Sequence, residues 1–202
     1  DGDVADVLVH FRDVACGDGR MLVFRKKGEP ARRVRADARA EMTRRPLTAA
    51  GGWAGWRAML KTGQKLKTAF KLKVVRAGTE AEVAFKELLT RPTIVSIYMK
   101  NNTGSCDKQN DSLAAHAAEF DKRGYNLVAV SRDTCGSHKK YAEKKGIAYV
   151  LASDPEDLFA KAADAIVEKS MYGKTYEGPA RAAFVIGKDG TVLAVAEKVD
   201  TK

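Results

Sequence analysis

Cysteine, histidine and long apolar runs are scarce in this sequence, and each scarcity excludes a class of protein. Three cysteines occur in 202 residues, and Cys16, Cys106 and Cys135 form no Cys-x-x-Cys pair. This pattern argues against a disulfide framework and a dithiol oxidoreductase. The three histidines are scattered and no Cys/His cluster has zinc spacing, so we expect no metal site. No apolar run approaches the ~18 residues that a membrane-spanning helix needs.

The sequence carries a net positive charge, and its two parts differ in which basic residue predominates. The net charge is +10 and 45% of the residues are hydrophobic, which suits one globular domain with an appendage and favours anionic partners. Arginine dominates the basic residues of 1–60, and lysine those of 61–202. We therefore predict a basic N-terminal extension over 1–60, with a short hairpin and an arm, and a folded domain over 61–202. Cys16 falls in the turn of that hairpin and is interpreted as structural or incidental.

From residue 61 onward, strand patterns and helix patterns alternate. Strands are predicted at 65–75, 92–98, 125–131 and 148–153, and as a hairpin within 181–199. Helices are predicted at 79–89, 112–124, 137–146 and 154–167. Such alternation indicates βαβ crossovers and a largely parallel sheet. The closing hairpin adds antiparallel strands, so we expect an α/β domain of thioredoxin-like fold, with a central mixed sheet flanked by helices.

Cys106 stands where the strand 92–98 gives way to a helical pattern. A polar loop precedes it, so Cys106 falls in the first turn of the helix, beyond the carboxyl end of a strand. Active groups of open α/β sheets gather at that edge. Unpaired N–H groups and the positive end of the helix dipole favour a thiolate there. Cys106 is therefore a candidate nucleophile, and the alternative interpretation is a small buried apolar residue.

The residues around Cys106 resemble the active-site loop of peroxiredoxins. That family reads Pro-x-x-x-Thr-x-x-Cys before a helix, and "NNTGSCDKQND" places Thr103 three residues before Cys106. The segments 128–156, with "SRDTCGSHKKYAEKK", and 169–195, with "KSMYGKTYEGPAR", resemble the bacterioferritin-comigratory-protein or peroxiredoxin Q subfamily. The resemblance covers about residues 61–202. It implies a thiol-dependent peroxidase for hydrogen peroxide or alkyl hydroperoxides, without a cofactor and with a thioredoxin-like reductant.

The resemblance also implies a role for three residues. Cys106 resembles the peroxidatic cysteine, whose thiolate attacks the peroxide O–O bond and becomes a sulfenic acid. Thr103 matches the threonine that orients the thiolate and the peroxide oxygens. Arg181 matches the arginine that stabilises the thiolate and the developing charge, which suits a permanently cationic, forked donor. The alternative for Arg181 is a surface residue at the start of a strand.

The sequence departs from the family pattern at three places. Met99 stands where the family has proline, and "TGSC" replaces the usual "TPGC". Many members carry a resolving cysteine five residues after the peroxidatic one, where this chain has Asp111. Cys135 falls near the position that other members use, and it is a candidate resolving cysteine. If Cys135 is instead a bystander, the enzyme would use one cysteine and an external thiol.

A second interpretation is a peroxiredoxin-fold accessory subunit of a large organellar complex, with vestigial activity. Met99 and the basic extension favour it, because such an arm could dock onto RNA or acidic subunits. The retained Thr103, Cys106 and Arg181 oppose it. Because the chain starts at Asp1 rather than Met, we expect that a preceding segment is missing. The extension favours a plastid or mitochondrion over the cytoplasm.

Overall fold

A computed structural model describes residues 59–171, 174–197 and 199. The hairpin, the arm and Cys16 expected in the N-terminal extension lie outside the described residues, and the domain boundary stays a prediction. The described elements are β1 (Lys71–Arg76), β2 (Thr79–Ala84), a 3₁₀ helix (Phe85–Leu88), β3 (Thr93–Ile97), α1 (Gly104–Lys122), β4 (Asn126–Ser131), α2 (Cys135–Lys145), β5 (Val150–Ser153), α3 (Leu158–Ala162), β6 (Ile166–Met171), β7 (Lys174–Pro179), β8 (Ala183–Ile186) and β9 (Val192–Ala196).

Seven of these strands form one mixed sheet. Its order is β2-β1-β5-β4-β3-β8-β9, while β6 and β7 pair as a separate antiparallel ribbon. The central strands β3, β4 and β5 are parallel, and nearly all of their residues are buried, as is usual for parallel strands covered on both faces. β1 and β8 flank them in the antiparallel sense. The expected thioredoxin-like α/β fold is therefore confirmed.

The helices α1 and α2 form the crossovers between the parallel strands. α1 packs against β4, and α2 packs against β5 and β1. Both crossovers step in the same direction across the sheet, so the right-handed rule places both helices on one face. Both also begin beyond the carboxyl ends of β3 and β4. The first turns that carry Cys106 and Cys135 thus lie along the same edge of the sheet.

The core is built around a row of aromatic rings between the sheet and its flanking segments. Phe70 stacks on Phe85 with ring centroids 4.9 Å apart, and Phe85 meets Phe159 at 5.3 Å. Phe159 then meets Phe184 edge to face at 5.8 Å. The last three are fully buried. Such pairs stabilise the core beyond the area they bury, so the short α3 is fixed firmly under the sheet.

The helix predicted at 79–89 is wrong. β1 turns directly into β2, with Arg76 opposite Thr79. The two turn residues, Ala77 and Gly78, have φ values of 47° and 75°, which is the geometry of a two-residue hairpin whose twist matches that of its strands. Thr79 therefore begins a strand instead of capping a helix. The helix-forming residues of this segment are overridden by pairing with β1, and only the 3₁₀ turn after Ala84 is helical.

Two further predictions hold only in part. The strand predicted at 65–75 begins at Lys71, and Lys65 makes a single bridge to Thr191. The helix predicted at 154–167 is reduced to α3. Asp154 does accept hydrogen bonds from two backbone N–H groups at the start of that helix. The chain then leaves the helix and pairs as β6 with β7, a ribbon that the sequence analysis missed.

Candidate active site

Cys106 lies at the start of α1, where the chain has just left β3. It is the third residue of the helix, after the N-cap Thr103, and only 1% of it is exposed. The Thr103 backbone is extended, so its carbonyl can accept the first helical bond from the Asp107 N–H at 2.7 Å. The Thr103 hydroxyl donates to the Lys100 carbonyl at 2.8 Å. This bond closes the loop over the first turn and holds the Thr103 side chain beside the thiol.

Arg181 reaches the same place from the segment between β7 and β8. Its Nη2 lies 3.4 Å from the Cys106 Sγ and 3.1 Å from the Ser105 hydroxyl. Its Nη1 donates to the Ser105 carbonyl and to the Gln109 side chain, both at 3.1 Å. Both arms of the guanidinium fork are therefore occupied, which fixes the cation against the sulfur. The structure brings Thr103, Cys106 and Arg181 together, as their match to the peroxiredoxin motif implied.

These surroundings lower the pKa of the Cys106 thiol. Burial by itself raises the pKa, because a buried thiolate is poorly solvated. Hydrogen bonding from the Thr103 side chain and from the backbone of Lys100 and Met99, together with the charge of Arg181, outweighs burial, and the net pKa lies below its ordinary value. The site therefore favours the thiolate, which is the nucleophilic form of cysteine.

Gln109 is a site residue that the sequence analysis missed. It is buried, and its Oε1 accepts from Arg181 while its Nε2 donates to the Ser96 hydroxyl at 2.8 Å and to the Ile97 carbonyl. It therefore connects the arginine to β3. Gln109 stands three residues after Cys106, a spacing that places both on one helix face. That spacing was the available signal, because a buried glutamine near a catalytic thiol needs polar partners.

A second cation that the sequence analysis missed comes from β6. The Lys169 ammonium contacts the Met99 thioether sulfur at 2.7 Å. Burial lowers the Lys169 pKa, and the neighbouring charges of Arg132 and Arg181 lower it further, while Asp157 and Cys106 act in the opposite direction. The residue in the family's proline position is thus held by the β6–β7 ribbon.

Cys135 begins α2 but lies in different surroundings from Cys106. It borders a cavity of about 530 Å³ between α2, the β1–β2 hairpin and the segment that precedes α3, and it is 6% exposed. Burial raises the pKa of the Cys135 thiol, and the nearby Glu80 side chain raises it further. Within the described residues, both Cys106 and Cys135 are free thiols. Cys135 therefore lies at the expected edge of the sheet, and it forms no disulfide bond with Cys106.

The described residues contain neither a membrane-spanning helix nor a metal-binding cluster. No helix there is both long enough and apolar enough to span a bilayer. No group of three or more His, Cys, Asp or Glu side chains in the same residues could hold a metal ion.

Comparison with known proteins gives the family. The AhpC/TSA family matches residues 62–195. The chain belongs to the AhpC/TSA family. Peroxiredoxin Bcp of Xanthomonas campestris is 36% identical to this AhpC/TSA chain over 106 residues, which are 52% of the chain and 66% of that protein. Peroxiredoxin Bcp of Escherichia coli is 31% identical over 108 residues, 54% of the chain and 69% of that protein.

Solved structures agree with this AhpC/TSA assignment. Xanthomonas campestris Peroxiredoxin Q matches with a TM-score of 0.63 and 29% identity, covering 69% of this chain and 89% of that one. A structure of the bacterioferritin comigratory protein from the same organism, described for its alkyl peroxide reduction activity, has the same TM-score at 28% identity, covering 70% and 90% of the two chains. The resemblance to the bacterioferritin-comigratory-protein and peroxiredoxin Q subfamily is confirmed. The accessory-subunit alternative finds no support among these relatives.

Proposed function

We propose that this protein is a thiol-dependent peroxidase that reduces hydrogen peroxide or alkyl hydroperoxides at Cys106. The observation that carries the proposal is the contact between the Arg181 guanidinium and the Cys106 sulfur at a helix N-terminus. A thiolate held against a fixed cation is ready to attack, and the same cation stabilises charge on the peroxide oxygens as the O–O bond breaks. The peroxiredoxin relatives support the same chemistry.

The reaction balances without a cofactor. The Cys106 thiolate attacks the terminal oxygen of the hydroperoxide, an S–O bond forms and the O–O bond breaks. The other oxygen leaves with the bonding electron pair and takes up a proton, which gives water or an alcohol. Cys106 is then a sulfenic acid. A second thiol displaces the hydroxyl as water to form a disulfide, and a thioredoxin-like dithiol reduces that disulfide.

Turnover of peroxide by the full chain tests the proposal. We expect peroxide consumption with a thioredoxin system, and complete loss in Cys106→Ser. Cys135→Ser serves as the matched cysteine control for the first step, because it leaves the surroundings of Cys106 unchanged. A sulfenic-acid probe should label Cys106 before Cys16 or Cys135. Labelling of Cys16 first, or undiminished turnover by Cys106→Ser, would show that the nucleophile is assigned wrongly.

We further propose that Cys135 is the resolving cysteine. Its support is the shared edge of the sheet, since α1 and α2 start beyond the ends of the paired strands β3 and β4. The two thiols face different neighbours, so a disulfide requires the first turn of α1 to unwind, as helix ends readily do. One equivalent of peroxide should give a Cys106–Cys135 disulfide in non-reducing peptide maps. A stable sulfenic acid with free Cys135 would indicate a one-cysteine cycle.

A further inference from the structure

The loop between β3 and α1 is attached to a neighbouring segment by one buried side chain. Asn101 is 4% exposed, and its backbone N–H donates to the Asp133 carboxylate at 2.9 Å. Its side-chain Nδ2 donates to the Ser137 hydroxyl, also at 2.9 Å. Asp133 precedes α2 and Ser137 lies in its first turn. The loop that leads to Cys106 is thus joined to the start of the other cysteine-bearing helix.

Two buried rings complete this attachment. The Tyr98 hydroxyl donates to the Asn101 Oδ1 at 2.7 Å. The His138 Nδ1 lies 3.3 Å from both the Tyr98 hydroxyl and the Asn101 Nδ2. Tyr98 and His138 are fully buried, and burial lowers the pKa of His138 and raises that of Tyr98. Both shifts favour the uncharged form of the ring, and the Asp133 carboxylate also accepts from the Ser131 hydroxyl.

The residues next to Asn101 are those that surround the thiol. The Lys100 carbonyl accepts a hydrogen bond from the Thr103 hydroxyl. Hydrogen bonding by the Lys100 backbone and by the Thr103 side chain lowers the pKa of Cys106, which favours its thiolate. Asn102 has a φ of 57°, a left-handed conformation that an asparagine tolerates better than most residues. Donors aimed at an anion stabilise it only while their positions are fixed. Whatever fixes Asn101 therefore also fixes the donors that face the sulfur.

We propose that Asn101 is a positioning residue, which holds the Lys100–Thr103 turn over Cys106 by anchoring it to the first turn of α2. The proposal rests on the peroxidase function only in that Cys106 is the reacting group. An asparagine suits the position because it has to accept from Tyr98 and donate to Ser137 at once. An aspartate has no donor, and alanine has neither group.

The test measures how readily Cys106 ionises. The full-length protein is alkylated with iodoacetamide over a range of pH, and the rate at the Cys106 peptide is followed by mass spectrometry. In Asn101→Ala, we expect alkylation to be about tenfold slower at mildly acidic pH, the size of effect that one weakened hydrogen bond to an anion produces. At alkaline pH, where the thiol is ionised in both proteins, the two rates should converge. An equal slowing at every pH would indicate altered access and would overturn the proposal.

The matched control is Lys144→Ala. The Lys144 ammonium donates to the Asn102 side chain at 2.9 Å on the exposed side of the same turn, so this variant removes a contact of the loop without touching the buried network. Among the described charged groups, Arg181 contacts the Cys106 sulfur and Lys169 interacts with it electrostatically, while Asp107 is the next residue on its own helix. Asn101→Ala changes none of these groups. Lys144→Ala should keep the wild-type pH profile. If the pH profile of Lys144→Ala shifts as much as that of Asn101→Ala, the buried network is not the cause of the shift.

A second variant alters the buried Asn101 network at its contact with α2. Ser137→Ala removes the acceptor of the Asn101 Nδ2 and leaves the Thr134 cap in place, because that cap uses the Ser137 backbone. It should slow Cys106 alkylation at acidic pH in the same direction, and the double variant should be no slower than Asn101→Ala alone. Effects that simply multiply would show that the two residues act independently. If Asn101→Ala does not fold, an unshifted profile of Ser137→Ala would by itself overturn the proposal.

The alkylation assay separates this inference from the proposed function. It reports the thiolate without any peroxide, so the role of Asn101 is tested even in a chain that turns over no peroxide. A shifted profile in Asn101→Ala supports positioning, whatever the turnover. Absence of turnover in the wild-type protein would overturn the peroxidase proposal alone. Conversely, normal turnover with an unshifted Asn101→Ala profile would overturn the positioning role alone.

Discussion

Removal of the Arg181 guanidinium is the most direct perturbation of the site. In Arg181→Ala, Cys106 loses the cation that lies 3.4 Å from its sulfur, and Ser105 and Gln109 lose the donors of the same fork. The helix N-terminus, the Thr103 hydroxyl and the loop backbone remain. The thiolate is therefore less stable and the developing charge on the peroxide is unopposed, while the fold keeps all of its main-chain bonds.

The expected loss follows from the distance. Two unit charges 3.4 Å apart interact by about 1 kcal/mol in bulk water and by about 5 kcal/mol at the effective dielectric of a protein surface. Arg181 is partly exposed, so the value lies between these limits, near the ~2 kcal/mol typical of a hydrogen bond to a charged group. Since 1.36 kcal/mol is a factor of ten in rate, Arg181→Ala should react with peroxide roughly thirtyfold more slowly.

Single-turnover oxidation of Cys106 by peroxide measures this rate without the reductant. Arg181→Lys should fall between the two proteins, because an ammonium keeps the charge but cannot occupy both arms of the fork. Arg123→Ala is the control: its exposed ion pair with Glu119 has little value, and it should react at the wild-type rate. An unchanged rate in Arg181→Ala, with the fold intact by circular dichroism, would refute the assignment of Arg181 to the site.

The same structure predicts the outcome of five further experiments. Because the pKa of Cys106 is lowered, its alkylation rate should level off below the pH at which an ordinary cysteine ionises. The lowered pKa also adds stability above the unfolded-state pKa that is lost as pH falls through the folded-state pKa, so urea unfolding of the wild-type protein and Cys106→Ser should converge in acid. Gln109→Leu removes the donor to Ser96 and Ile97 and should lower the free energy of unfolding by about 1–3 kcal/mol, again by urea. Met99→Pro restores the family residue but deletes a backbone N–H near the sulfur, so titration of the thiolate by ultraviolet absorbance should show a raised pKa of Cys106. Deletion of residues 1–58 should leave a folded domain by circular dichroism, because each of the seven described strands of the main sheet lies beyond residue 70.

The parts of the fold that the sequence predicted are those with local signals. β3, β4 and the helix between them are marked by buried β-branched runs and a polar loop, and the glycine that ends α2 adopts the expected left-handed conformation. The β1–β2 hairpin was missed because its turn uses Ala77, an unusual residue at positive φ, and because the next residues also suit a helix. β6 was missed because its first residues, Ile166 and Val167, also suit the end of the predicted helix 154–167, and pairing with the adjacent β7 overrides their helix propensity.

The candidate site divides in the same way. Thr103, Cys106 and Arg181 were predicted because their spacing matches a family motif. Gln109, Asn101 and Lys169 were not, since their significance lies in partners from distant segments. The Gln109 side chain donates a hydrogen bond to β3, and the Asn101 side chain donates one to the first turn of α2. The Lys169 side chain contacts the loop after β3. Apart from the three-residue spacing between Cys106 and Gln109, such tertiary hydrogen bonds leave no periodic trace in one sequence.

Met99 gives the departure from the family motif a physical meaning. A proline at this position would have no N–H, whereas the Met99 backbone is among the groups that lower the pKa of Cys106. Its thioether also contacts the Lys169 ammonium, an interaction that a proline ring does not offer. The loop thus gains a donor toward the sulfur and an attachment to the β6–β7 ribbon where it loses the rigidity of proline. Met99 was the main site-level argument for a vestigial subunit, and its surroundings instead favour a thiol kept in its reactive form.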